Sequence, residues 1–175
     1  TFLASGSGGL SFPNGMAFGP DGNFFVSSGN TNSVKKYDGT TGAYIGNFAT
    51  GPNDPRGLVF GPDGNLYVSF DGIRRFNGTT GAFIDVFASG SGLNRPYGLD
   101  FGPDGNLYVA NDGPHPGEIM RFDGTTGAFI DIFASGGGLG SPKYFVFAEL
   151  SAVPEPTTLL LLSAGLAGFG WTRRR

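Results

Sequence analysis

The chain has 175 residues, among them 33 Gly, 12 Pro, 18 Phe and no Cys, with a formal net charge of −3. At 39% hydrophobic and 14% aromatic it carries too much apolar side chain for a low-complexity disordered segment, so Gly and Pro serve turns between short strands. The missing Cys excludes disulfides, thiolate metal sites and a cysteine nucleophile, and 8 basic against 13 acidic residues before Val153 leave no electrostatic footprint for nucleic acid.

In chain order, Thr1 is not a start residue and no signal-peptide pattern follows it, which leads us to expect a fragment or a processed form. Phe2-Leu3-Ala4-Ser5-Gly6 reads like the end of a unit, as in Phe87-Ala88-Ser89-Gly90. A repeat then begins at Pro13 (PNGMAFGPDGNFFVSS), again at Pro55 (PRGLVFGPDGNLYVSF) and at Pro96 (PYGLDFGPDGNLYVAN). Each copy has a second half, YDGTTGAYIGNFA from Tyr37, FNGTTGAFIDVFA from Phe76 and FDGTTGAFIDIFA from Phe122. A period of about 40 residues is that of propeller blades.

Each unit spells four strands. In the second, Gly57-Leu58-Val59-Phe60 and Leu66-Tyr67-Val68-Ser69 flank Gly61-Pro62-Asp63-Gly64-Asn65. Pro presets the first corner of that turn, Asp bonds its own backbone, and Gly accepts a positive φ at the exit. Asn77-Gly78-Thr79-Thr80-Gly81 makes the second hairpin, toward Phe83-Ile84-Asp85-Val86-Phe87. Its Asn-Gly-Thr matches a glycosylation sequon, but Asp38 and Asp123 at the same place mark it as turn chemistry. Strands apolar on both faces, as at Phe83-Ile84, suit a sheet sandwiched between neighbours. We therefore expect an all-β fold, a β-propeller of three four-stranded blades near 13–50, 55–89 and 96–135. Residues 1–150 would form a partial ring, with Pro142-Lys143-Tyr144-Phe145-Val146-Phe147 as the first strand of a following blade. Three blades do not close a ring, so further blades or a homodimer would have to complete it.

The pattern P-x-G-[LM]-x-F-G-P-D-G-N-[LF]-[YF]-V resembles the NHL and gluconolactonase-like, TolB-like group of six-bladed propellers. In its metal-dependent enzymes, the resemblance implies, a divalent ion sits in the central channel on Glu, Asn and Asp. Asn14 matches one of those Asn positions, but Arg56, Tyr97 and Lys143 occupy the equivalents, and two of these three are cationic. A hard cation wants several oxygens, so we expect neither a metal nor any other cofactor. His115 and Glu118 in the loop after Asn111 form a conceivable acid–base pair, but a lone loop histidine is usually nothing more. The runs Gly6-Ser7-Gly8-Gly9 and Gly136-Gly137-Gly138 lack the Lys-Ser/Thr and helix of a phosphate cradle and read as loops.

Residues 151–175 resemble the PEP-CTERM sorting signal of Gram-negative bacteria. Val153-Pro154-Glu155-Pro156 is the box, an apolar stretch follows, and Arg173-Arg174-Arg175 is the basic end. The resemblance implies export, a passage through the inner membrane, processing by an exosortase and delivery to the cell surface or the medium. A helix over 157–171 would reach ~22 Å at 1.5 Å per residue, a short transmembrane span eked out by snorkelling arginines.

Asn14, Arg56, Tyr97 and Lys143 thus fall together at the mouth of the expected channel, suited to an anionic or sugar-like ligand. The expectation is an exported, surface-associated module that binds a polysaccharide or protein and does not catalyse. The alternatives are a lactonase, other hydrolase or lyase with its site in other blades, and a purely structural repeat protein.

Overall fold

A computed structural model describes residues 2–51, 53–113 and 117–147. The tail, with its sorting box and the helix expected over 157–171, lies outside the described residues, as does His115. Among the described residues no helix is long and apolar enough to cross a membrane.

Twelve strands form three four-stranded antiparallel sheets. The first holds β1 (Pro13–Phe18), β2 (Phe24–Ser28), β3 (Ser33–Tyr37) and β4 (Tyr44–Thr50). The second holds β5 (Leu58–Phe60), β6 (Leu66–Ser69), β7 (Ile73–Phe76) and β8 (Phe83–Ala88). The third holds β9 (Pro96–Phe101), β10 (Leu107–Asn111), β11 (Glu118–Phe122) and β12 (Phe129–Ser135). Each sheet is ordered as its strands follow in sequence, a meander. The three sheets resemble propeller blades, in line with the repeat.

The turns behave as their residues dictate. Asp63 Oδ1 accepts from the amide of Asn65, two residues on, at 3.0 Å, and Gly64 takes φ +75°, an Asx turn closed by a residue without a Cβ. In the outer hairpin Asp38 Oδ1 accepts from the amides of Thr40 and Thr41 at 3.0 and 2.7 Å; Asn77 and Asp123 do the same in their repeats.

Packing between blades repeats one aromatic triad. The Phe25 ring meets Phe48 of its own blade at 4.8 Å and Phe60 of the next at 4.9 Å, edge to face. Tyr67 meets Phe87 and Phe101 at 4.9 and 5.1 Å, and Tyr108 meets Phe133 and Phe147, both at 4.9 Å. Each such pair adds about 0.5–1.5 kcal/mol beyond the area it buries. Phe147 therefore takes the place of Phe60 and Phe101, so residues 142–147 lie where the first strand of a following blade would run.

One expectation is corrected. Phe83, Ile84 and Val86 are not sandwiched between sheets: Phe83 is 54% and Val86 52% exposed, although their blade has neighbours on both sides. The Phe83–Val86 part of the outermost strand lies at the rim, largely uncovered by the adjoining sheets. Of this strand only the Phe87-Ala88 end is buried, because there the chain returns toward the interior.

Candidate functional site

The inner strands approach each other so closely that glycine is required where they touch. A Cβ on Gly15 would lie 2.4 Å from the Arg56 carbonyl oxygen, one on Gly57 2.2 Å from that of Tyr97, and one on Gly98 2.7 Å from that of Lys143. Two serines stitch the same contacts. Ser27 Oγ accepts from the Gly15 amide at 2.7 Å and lies 2.6 Å from the Arg56 carbonyl as donor. Ser69 Oγ accepts from the Gly57 amide at 2.9 Å and donates to the Tyr97 carbonyl. The third blade has Ala110 there, and the Gly98 amide donates directly to the Lys143 carbonyl at 2.7 Å.

Asn14, Arg56 and Tyr97, three of the residues expected at the channel mouth, each precede one of these glycines, and Lys143 holds the matching place in the fourth segment. Contacts at or beside these positions link the neighbouring segments. Asn14 Nδ2 donates to the Pro55 carbonyl at 3.2 Å. The Arg56 guanidinium sits 5.0 Å from the centroid of the Tyr97 ring, and the Lys143 ammonium 3.7 Å from the same centroid. Tyr144 Oη then donates to the Asn14 carbonyl at 2.8 Å, joining the fourth segment back to the first.

Neither cation is free. Arg56 donates to Asp54 Oδ2 at 2.9 Å and to the Phe70 carbonyl at 2.7 Å, and Lys143 pairs with Asp112, which Ser141 also reaches. The bonds from Lys143, then from Ser141, hold the Asp112 carboxyl below the ordinary range against the push of burial. Both mouth cations are thus paired and do not form the open cationic patch that Arg56 and Lys143 suggest in sequence, although Asp112 also faces Arg95 at 3.8 Å, so that three cations share two carboxylates. Phe12, Asp54 and Arg95, each preceding the proline of an inner strand, take φ of +54°, +53° and +52°. Such left-handed non-glycine residues store strain where a scaffold must aim its loops.

Below the mouth, residues of the three inner strands and of 142–147 line a cleft of about 240 Å³. Among the lining residues Asp100 alone carries a charge. Burial raises its pKa, partly offset by the Phe101 amide, which donates to Oδ1 at 2.9 Å. Asp100 escaped the sequence reading, yet the repeat marks it: Ala17 and Val59 stand at the matching positions, and both pack against the cores between blades. Among the described residues no cluster of three or more His, Asp or Glu side chains suited to a metal ion occurs. Glu118 opens β11 opposite Asn111.

Residues 152–175 match the PEP-CTERM protein-sorting motif, the signature of an exported protein sorted by an exosortase. No curated protein matches the chain. Among solved structures it is similar to Kuenenia stuttgartiensis hydrazine synthase, with 21% identity and TM-score 0.63 over 81% of this chain and 40% of that one. It is also similar to virginiamycin B lyase from Staphylococcus aureus, with 22% identity and TM-score 0.62 over 77% of this chain and 45% of the lyase. A gluconolactonase from Xanthomonas campestris follows at 13% identity and TM-score 0.61, over 74% of this chain and 49% of that one. The chain spans under half the length of each. These likenesses establish a β-propeller-type fold.

Proposed function

We propose that this protein is an exported binding or scaffold module of the cell surface or extracellular matrix, delivered by its PEP-CTERM tail and without catalytic activity of its own. Its ligand is a polyhydroxylated chain, a polysaccharide, held at the channel mouth. The observation that carries this reading is the row of paired charges across Asn14, Arg56, Tyr97 and Lys143. Hydroxyl groups both donate and accept, so they match carboxylates and guanidinium side by side, whereas a net anion would meet Asp54 and Asp112 already seated on the cations. The strained residues beside the mouth support the same face.

Two measurements test it. Protein recovered from the cell surface should have an intact mass lacking the segment after about Pro154; retention of Arg173, Arg174 and Arg175 in that material removes the sorting half of the proposal. Binding to immobilised surface polysaccharide should be saturable and should drop at least tenfold in Arg56→Ala. A lactonase or lyase reading draws on the fold shared with the lyase and the gluconolactonase. Lactone hydrolysis or lyase turnover dependent on a divalent ion would favour it over the binding module.

A further inference from the structure

We propose that the cleft among the four inner segments is a binding site for a small primary ammonium ion on a short apolar stem, with Asp100 as its counter-ion. This site is separate from the mouth, about three residues or ~10 Å further along β9 than Tyr97.

The repeat supplies the first argument. Ala17 and Val59 fill the positions matching Asp100, and Val146 stands there in the fourth segment. An apolar residue suffices structurally at this place, and even the partial burial of a carboxylate there costs stability unless something pairs with it. The protein does not supply the partner. None of the ion pairs among the described residues includes Asp100, and its one hydrogen bond comes from the Phe101 amide. A carboxylate has about four acceptor sites, so most of its capacity is unused.

The walls define what fits. Gly15, Gly57, Leu58, Val59 and Phe145 offer no side-chain donor, and the Tyr144 hydroxyl proton is already spent on the Asn14 carbonyl. An anion or a polyol would find nothing to donate to it. An ammonium brings three N–H donors to Asp100, and its alkyl stem lies on the apolar walls. The cleft, about 240 Å³ and open to solvent on one side, has room for a short alkylamine. A divalent metal ion is disfavoured, because such ions want six or more oxygens and one carboxylate cannot supply them.

Calorimetric titration of the full chain in mild detergent tests the assignment, with n-butylammonium, n-butanol, n-butyrate and calcium chloride as probes at neutral pH. We expect saturable one-to-one binding of n-butylammonium, with n-butanol and n-butyrate at least tenfold weaker. Asp100→Asn should weaken n-butylammonium at least tenfold without lowering the thermal midpoint. Asp100→Val, which restores the residue of the second repeat, should do the same and keeps the test valid if the amide folds poorly. Equal binding of n-butanol, full amine binding by either variant, displacement of the amine by calcium, or no saturable amine binding to the folded protein would each overturn the proposal. Neither variant alters a mouth residue, so polysaccharide binding should persist in both, and the two readings fail separately.

Discussion

The Lys143 ammonium lies 3.7 Å from the centroid of the Tyr97 ring, and this contact joins the Lys143–Asp112 pair and the Gly98 amide on the Lys143 carbonyl in fastening the segment 142–147 to the third blade. The same ring holds Arg56 at 5.0 Å, so Tyr97 couples three inner segments. Exposed cation–π contacts are worth ~0.5–1 kcal/mol each. Tyr97→Leu, which keeps apolar bulk but removes the ring, should therefore lower stability by about 1–2 kcal/mol in urea unfolding. Exchange of the Gly98 amide, whose acceptor is the Lys143 carbonyl, should speed up with it. Unchanged exchange there would show that the Asp112 bonds and the Tyr108–Phe147 contact hold the segment without the Tyr97 ring.

Ser69 offers a sharper test because its removal leaves groups without partners. Ser69→Ala strands the buried Gly57 amide and a hydrogen-bonding site on the Tyr97 carbonyl. Such orphaned groups cost about 1–3 kcal/mol, to be read from the denaturant midpoint, and Ser27→Ala should cost a similar amount. Ala110→Ser should bring no matching gain, since the Gly98 amide already donates to the Lys143 carbonyl. A gain equal to the Ser69 loss would contradict this account.

Two glycine substitutions should behave oppositely. Gly57→Ala drives a Cβ to 2.2 Å from the Tyr97 carbonyl oxygen, where backbone must move; we expect a loss of about 3 kcal/mol or more. Gly46→Ala, in β4, meets nothing within 4 Å and should be neutral or stabilising by about 0.5–1 kcal/mol. Similar losses for the pair would mean that the inner strands are not in the contact described.

Acid should weaken the fold. Burial works to raise Asp21, but the Lys36 bond and the two Asn23 bonds outweigh it and hold the carboxyl at about 2. Asp38, Asp63, Asp104 and Asp123 also sit below their ordinary value. A folded pKa below the unfolded ~3.9 gives stability that is present above pH 4 and disappears as pH falls through the folded value. Asp100 has the opposite sign: with its raised pKa it begins to cost stability as the pH rises above ~4 and costs most above its own folded value. The denaturant midpoint should therefore fall between about pH 4 and pH 2, and Asp21→Asn should remove part of that slope. A midpoint that is flat over this range would contradict the assignment of these carboxylates.

Much of the architecture was legible because the repeat is redundant. Three copies of Gly-Pro-Asp-Gly-Asn fix the inner hairpins, and Asp38, Asn77 and Asp123 fix the outer ones, since the chemistry of a turn is local. The gathering of Asn14, Arg56, Tyr97 and Lys143 was readable for the same reason: equivalent positions in stacked repeats converge on one axis. The charge state of that mouth was not, because Asp54 and Asp112 lie outside the aligned pattern and meet the cations only through loop geometry. Asp100 was hidden by attention to what the copies share, when its signal was the departure from Ala17 and Val59. The exposure of Phe83 and Val86 was misjudged for a geometric reason: an apolar strand in sequence does not say how far from the axis it lies.

The last prediction concerns association. The first sheet and the segment 142–147 leave apolar side chains uncovered: Met16 is 63% and Val146 79% exposed, as are Phe18 and Tyr144 two residues from them. The rim strands are apolar too, but their pairing with β3, β7 and β11 is broken by register shifts in all three blades, and such bulges turn an edge away from new partners. Residues 142–147 belong to none of the three sheets, so no described strand pairs along them. Association should therefore run through the ends. The body, residues 1–150, should dimerise or aggregate in sedimentation; Met16→Lys with Val146→Lys should reduce this, and Ile84→Lys at the rim should not. A monodisperse monomer would show that the end faces need no partner, and suppression by Ile84→Lys alone would move the contact to the rim.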